Sequence, residues 1–296
     1  MNATLCTQRF RKIILPYGLV LPATILVAGM MGYAIVVAIV DSLHHYPTLV
    51  REGDFVGLAN YIQLFGVKHF QDAVIRTFVF VGGSVVLGLM ISFALALCLY
   101  SLNASRIAEM VRTATLIPYL ISGVAAATMW RFLFSGNAGM VNLFLETLGI
   151  DSVRWLSDQR NAFIVVTLAN TWKIFPMAVL ILLSGLMVID PQLYDAAIVD
   201  GAGKIRTFYA VTVPMISSYI ATSLIWLTFA SFNMFAVIYP MTEGGPLRAT
   251  EVMALYMYRL AFREMRFSEA SAVMILLLLV NIGFSFFFIR VFRKRD

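Results

Sequence analysis

The residues of this chain with chemistry to offer are polar side chains that interrupt or separate long apolar runs. They form two groups. Inside the runs lie Asn170, Trp172 and Lys173 ahead of Pro176, Ser231 and Asn233 amid Phe229, Phe232 and Phe235, and Tyr119 after Pro118 with Gly123 beyond. Amides, hydroxyls and an ammonium beside aromatic rings can hold a small hydroxylated molecule, with rings on its C–H faces and polar groups on its hydroxyls. The second group is Asp195-Ala196-Ala197, Asp200-Gly201-Ala202 and Pro214, in a polar stretch (191–216) between two apolar runs. It predicts a short helix from Pro191 to Asp200, a corner at Gly201 to Gly203, and a second helix ending before Pro214. A charged helical corner between such runs suits docking of another protein.

Neither group makes or breaks bonds. His44, His45 and His69 share one loop without a matching acidic cluster. No nucleophile has a base at useful spacing, so no catalytic residue is expected. Cys6 and Cys98 give no disulfide or metal framework, and no metal or other cofactor is expected in the chain. A phosphate loop of the type G-x-x-x-x-G-K-[ST] is missing, so any ATP hydrolysis belongs to other subunits.

The elements that must carry these side chains are membrane spans. The chain is 60% hydrophobic and 13% charged, with a mean hydropathy of +0.86, far from a soluble composition. Its charge of +6 could suggest nucleic acid, yet no basic residues cluster with aromatics outside the apolar runs. Membrane orientation accounts for it better, and no nucleic-acid partner is expected. Six segments reach the roughly 20 residues that a span needs: 13–40, 74–100, 110–134, 163–189, 217–239 and 270–291. The expected fold is all-α, one polytopic domain over 1–296 in contact with membrane lipid. The first apolar segment is too long for a cleaved leader and reads as a retained span. Basic residues favour the side holding both termini, eleven against eight. That side carries Arg9, Arg11, Lys12, Arg106, Arg112, Lys204, Arg206, Arg290, Arg293, Lys294 and Arg295. Both termini and the 191–216 stretch are therefore expected in the cytoplasm. The loop between the last two spans fits least well, because its four arginines are mixed with Glu251, Glu264 and Glu269.

Polar groups inside spans are either helix glue or pathway lining. Lys173, too deep to snorkel easily, should face a polar cavity or bond backbone carbonyls freed near Pro176. Ser231 and Asn233 fit a carbohydrate site or ordinary interhelical hydrogen bonding. Pro118 and Gly123 mark either an opened backbone or a simple kink.

Asp195-Ala196-Ala197, Asp200-Gly201-Ala202 and Pro214 together resemble the coupling motif of ABC importer permeases, with Asp195 where that family usually has glutamate. Val56-Gly57-Leu58-Ala59-Asn60-Tyr61, Thr242-Glu243-Gly244-Gly245-Pro246 and the Tyr258, Ala261, Phe262 stretch resemble the carbohydrate branch, which includes permeases for sugars, polyols and glycerophosphate. The resemblance implies a type I permease fold in the bacterial inner membrane. It also implies a second homologous permease subunit, two ATP-binding subunits that carry ATP and Mg, and an extracytoplasmic solute-binding protein. By alignment with maltose-type permeases it places substrate contacts at Tyr119, Gly123, Asn170, Lys173, Ile174, Met177, Leu227 and Ser231, with Trp172 and Asn233 as further candidates. The rivals fit less well. A proton-coupled carrier should have acids within its spans, and an amino-acid or metal-complex permease lacks these loop signatures.

Overall fold

The computed structural model describes residues 3–46, 53–102, 106–136 and 139–292, with side chains of the first helix from Val20 onward. The side chains of Cys6, Arg9, Arg11 and Lys12 lie outside the described residues, as do Arg51, Arg293, Lys294 and Arg295 altogether. Long apolar stretches become long helices because a backbone in hydrocarbon must satisfy its own hydrogen bonds. These are α1 (Ala3–Leu43), α3 (Lys68–Ser101), α7 (Gln159–Val188), α11 (Ser217–Phe232) continued by α12 (Phe235–Thr242), and α14 (Phe267–Phe292). Together with α4 (Arg106–Leu120) and α5 (Gly123–Leu133), a pair bent by 96°, they provide five straight or nearly straight spans and one broken span among the described residues. The expected third span is thus corrected from one helix to two. Smaller elements are a two-residue hairpin (His44–His45 with Asp54–Phe55), α2 (Ala59–Gly66), α6 (Met140–Thr147), α8 (Pro191–Val199), α9 (Lys204–Thr207), α10 (Val213–Met215) and α13 (Met253–Phe262).

The helices start where the sequence supplies caps. The Asp158 carboxylate accepts the amides of Arg160 and Asn161, both at 3.0 Å, at the head of α7. Asp190 caps Gln192 at 2.9 Å, with Pro191 at the first helical position of α8. Such caps satisfy amides the helix leaves unpaired. α7 runs through the middle of the bundle, packed on α3, α4 and α11, and α14 packs on α1, α11 and α13. Close approach depends on small residues. A Cβ on Gly185 would fall 2.6 Å from the Tyr219 ring, and one on Gly88 would fall 3.0 Å from Leu227.

Loops are pinned by single buried amides. Asn142 donates to the carbonyls of Gly136 and Val153, and its oxygen accepts from the Val153 amide and the Trp155 indole. Asn60 donates to the carbonyls of Ser42 and His44. The loop between α12 and α14 neutralises itself. Buried Glu251 pairs with Arg259 at 3.1 Å and Arg248 at 3.7 Å, Arg263 pairs with Glu243 at 3.2 Å, and Arg266 pairs with Glu264 and Glu269. The hydroxyl of Tyr239 and then the Glu243 carboxylate raise Arg263 above the ordinary arginine range. Paired charges say little about sidedness, so the four arginines that confused the basic-residue count have a structural explanation.

Candidate functional site

The break between α4 and α5 organises the centre of the bundle. Pro118 removes an amide near the end of α4, the chain turns at Ile121 and Ser122, and the Ser122 hydroxyl caps Ala125 at 3.2 Å to start α5. The turn leaves carbonyls without helical partners. Lys173 supplies them: its Nζ donates to the carbonyls of Pro118 at 3.0 Å, Tyr119 at 2.7 Å and Ile121. It also sits 5.6 Å from the centre of the Tyr119 ring. Lys173 lies about 21 Å from the start of α7 at 1.5 Å per residue, near the helix midpoint. Its role as a ligand to freed carbonyls matches one of the two sequence alternatives. The carbonyls come from the third span, however, and not from the neighbourhood of Pro176.

Asn170 and Ser231 are buried inside the chain. The Asn170 amide donates to the hydroxyls of Ser84 at 2.8 Å and Ser231 at 3.1 Å, joining α3, α7 and α11, while its oxygen carries no partner in this conformation. Ile174 and Leu227 are buried against each other and Ala178. In this conformation all four are at most 2% exposed. We expect Asn170→Ala to lower stability by about 1–3 kcal/mol, since it orphans two hydroxyls between three helices. Thermal unfolding of the purified complex measures it.

The other candidates reach a surface. Tyr119 is 40% exposed and meets the Trp226 ring edge-on at 5.9 Å. Met177 and Trp172 are half-buried, with Trp172 against Trp130 at 6.0 Å. Asn233 is exposed in the break between α11 and α12, its amide returned to the Phe229 carbonyl at 2.8 Å. Gly123 lies where α5 crosses α12, and a Cβ there would fall 2.7 Å from that of Ala236. The broken span therefore packs its break beside the junction of α11 and α12. Trp226 and Phe229 follow one another at helical spacing along α11, which ends at Asn233. Gly123→Leu should push α5 from α12 and cut transport about tenfold or more, a typical cost of overpacking; solute uptake in cells, normalised to membrane-inserted protein, checks it.

A cavity of about 390 Å³ beside Asn233 is lined also by Phe235, Tyr258 and Asn281. Sequence reading missed Ser84, Trp226 and Asn281. A polar residue within an apolar run was the available signal for Ser84 and Asn281, and for Trp226 only its aromatic neighbourhood.

The 191–216 stretch forms the expected corner. Asp195, Ala196 and Ala197 lie on α8, Asp200 ends it, and Gly201 takes φ +70°, a left-handed turn open to glycine at little cost. Ala202 closes the corner by donating to the Ala197 carbonyl at 2.9 Å. The Tyr194 and Thr212 hydroxyls lie 3.2 Å apart across the corner, and Phe208 packs edge-on against Phe93 of α3. The helix continues through Pro214, contrary to the expected stop. A π-type turn at Phe208–Thr212 precedes it, and its wider winding relieves the clash of the proline ring with the preceding turn. Ile198, Val199, Ile205 and Tyr209 are nonetheless largely exposed on the corner.

Long apolar spans around one broken span, with an exposed helical corner between two of them, define a multi-span membrane permease subunit. Residues 105–295 match the model for the family described as binding-protein-dependent transport system inner membrane component, and the chain belongs to that family. It is 30% identical over 288 residues to an ABC transporter permease protein of Brucella suis, covering 95% of this chain and 98% of that one. It is also 30% identical over 290 residues to the trehalose/maltose transport system permease protein MalF of Thermococcus litoralis, covering 97% and 96%. To the sn-glycerol-3-phosphate transport system permease protein UgpA of Yersinia enterocolitica it is 33% identical over 273 residues, covering 91% and 90%. A chain of a bacterial alginate ABC transporter, solved in complex with an alginate pentasaccharide-bound periplasmic protein, shares the fold. Its TM-score is 0.79 at 23% identity, over 97% of this chain and 96% of that one. The chain is a transporter component and not an enzyme.

Proposed function

We propose that this chain forms half of the pathway of an ATP-driven importer for a sugar, sugar derivative or polyol. The observation that carries the reading is the corner: exposed Ile198, Val199 and Ile205 on a rigid turn have no use in water and fit a groove on an ATP-binding subunit. The solute class is supported by the named cargoes of the relatives, trehalose/maltose and sn-glycerol-3-phosphate. Both termini and the corner face the cytoplasm in this reading, in a bacterial plasma membrane. An extracytoplasmic solute-binding protein delivers cargo at the opposite face. A second homologous permease subunit supplies the other half of the pathway, and two ATP-binding subunits hold ATP and Mg.

In the cycle, closure of the ATP-binding subunits moves the docked α8 and α9 and tilts the attached spans. The cavity then opens outward to the loaded binding protein, and hydrolysis resets it. Cargo biases this cycle only through unequal affinity for the two states. Tyr119, Asn233 and the break around Gly123 face the cargo first. Met177 and Trp172 lie behind them. Asn170, Ile174, Leu227 and Ser231 join the lining only when the spans tilt apart, and Lys173 holds the break that presents Tyr119.

The test is reconstitution of this chain with its permease and ATPase partners in proteoliposomes. Loaded binding protein should stimulate ATP hydrolysis and the uptake of a labelled disaccharide or glycerol 3-phosphate. Uptake by this chain alone, or uptake indifferent to ATP, overturns the reading.

A further inference from the structure

We propose that a groove between the first halves of α3 and α7 is a binding site for one phospholipid with an anionic headgroup. The groove encloses about 700 Å³, with Arg76 and Arg160 at its mouth and Val79, Leu87 and Leu168 among its walls. Gly83 forms its floor: a Cβ there would lie 3.4 Å from Thr167, so the two helices touch beneath the opening.

The mouth has unspent charge. Among the described residues, neither guanidinium makes a hydrogen bond or ion pair. Asp72, one turn before Arg76, is held by Lys68 at 3.3 Å. Asp158 is occupied as the cap of α7, where its Oδ1 accepts two backbone amides. Two unpaired guanidiniums on one groove favour a phosphodiester, which accepts charge-assisted bonds from both.

The walls then select what carries the phosphate. Leu87 lies about 16 Å along α3 from Arg76 at 1.5 Å per residue, so the groove continues from the charged mouth into apolar surface for most of an acyl chain. A soluble anion has no use for those walls. Another transmembrane helix would have to bring acids to the same level to avoid leaving two cations unpaired. A lipid satisfies both ends at once. This site is separate from the breaks at Tyr119 and Asn233, and the assignment does not depend on the cargo.

The test uses the full transporter complex in nanodiscs of phosphatidylcholine with a minor fraction of phosphatidylglycerol, with retained lipid counted by native mass spectrometry. Wild type should retain phosphatidylglycerol. The double variant Arg76→Gln, Arg160→Gln should retain about tenfold less, as expected for lost ionic hydrogen bonds. Gly83→Leu, which fills the floor and keeps both arginines, should lose it as well. Arg154→Gln, in an exposed loop, should not. Equal retention by wild type and the double variant overturns the proposal, as does equal retention of phosphatidylcholine. So does displacement by millimolar inorganic phosphate, which would make the mouth a site for free anions. A photocrosslink from a benzoylphenylalanine placed at Leu168 to the second permease chain would show a protein occupant and overturn it too.

Discussion

Lys173→Met should cost at least tenfold in uptake and lower the stability of the complex together. Two opposed terms set the stability change. Removing an ammonium from the middle of a span relieves about 3 kcal/mol, whereas each carbonyl left unpaired there costs about 1–3 kcal/mol. Three carbonyls depend on Nζ. Tyr119 is partly exposed, so water can take over its carbonyl; the other two cost about 2–6 kcal/mol against the roughly 3 relieved, a net destabilisation of about 1 kcal/mol at mid-range. The functional loss is larger because the turn at 121–122 is no longer fixed, and Tyr119 and the start of α5 lose their placing. Lys173→Arg keeps the charge but not the compact three-donor geometry, and should fall between. Thermal unfolding measured beside uptake decides the matter. If Lys173→Met raises KM alone, with stability and complex yield unchanged, the residue is a cargo contact and the clamp reading fails.

This clamp also shows how far the sequence could be read. The spans were legible because hydropathy over 20 residues is a property of composition, and outside the third only their ends moved: α7 starts at Gln159 where 163 was expected, and α14 starts at Phe267 where 270 was expected. Pro118 and Gly123 marked the third span as irregular, but a 96° bend depends on what α5 packs against, and Ala236 is more than a hundred residues away. Lys173 was legible as an anomaly. Its partners were not, since they lie 52–55 residues back along the chain. Asn170 stood out as an amide in an apolar helix. Its bonds to Ser84 and Ser231 join residues 86 and 61 positions away, and no periodicity within one helix reports them. The corner at Gly201 was legible in full because its cause is local, a glycine between two short helical patterns. The π-type turn before Pro214 was not, because sequence predicts that a proline ends a helix and says less about how a helix adapts to one.

That local cause gives the second large effect. Gly201→Val should abolish co-purification of the ATP-binding subunits, or leave ATP hydrolysis unresponsive to loaded binding protein, with normal insertion of the permease. Space does not limit the site, since a Cβ at Gly201 would meet nothing within 4 Å. The backbone limits it: at φ +70° a side chain costs about 1–2 kcal/mol, and a β-branched one lies at the upper end. The corner can escape that strain only by opening, which swings α9 away from α8 and separates Ile198 and Val199 from Ile205. Gly201→Asn provides the decisive contrast, because asparagine enters the left-handed region far more readily than valine does. It should retain most coupling although it adds more atoms than alanine. If asparagine and valine fail alike, bulk at the docking surface matters and not the turn. If both work, Gly201 has no part in gripping the motor. A third pattern, in which valine fails and asparagine works, would show that the geometry of one left-handed residue sets the angle at which this permease meets its ATPase.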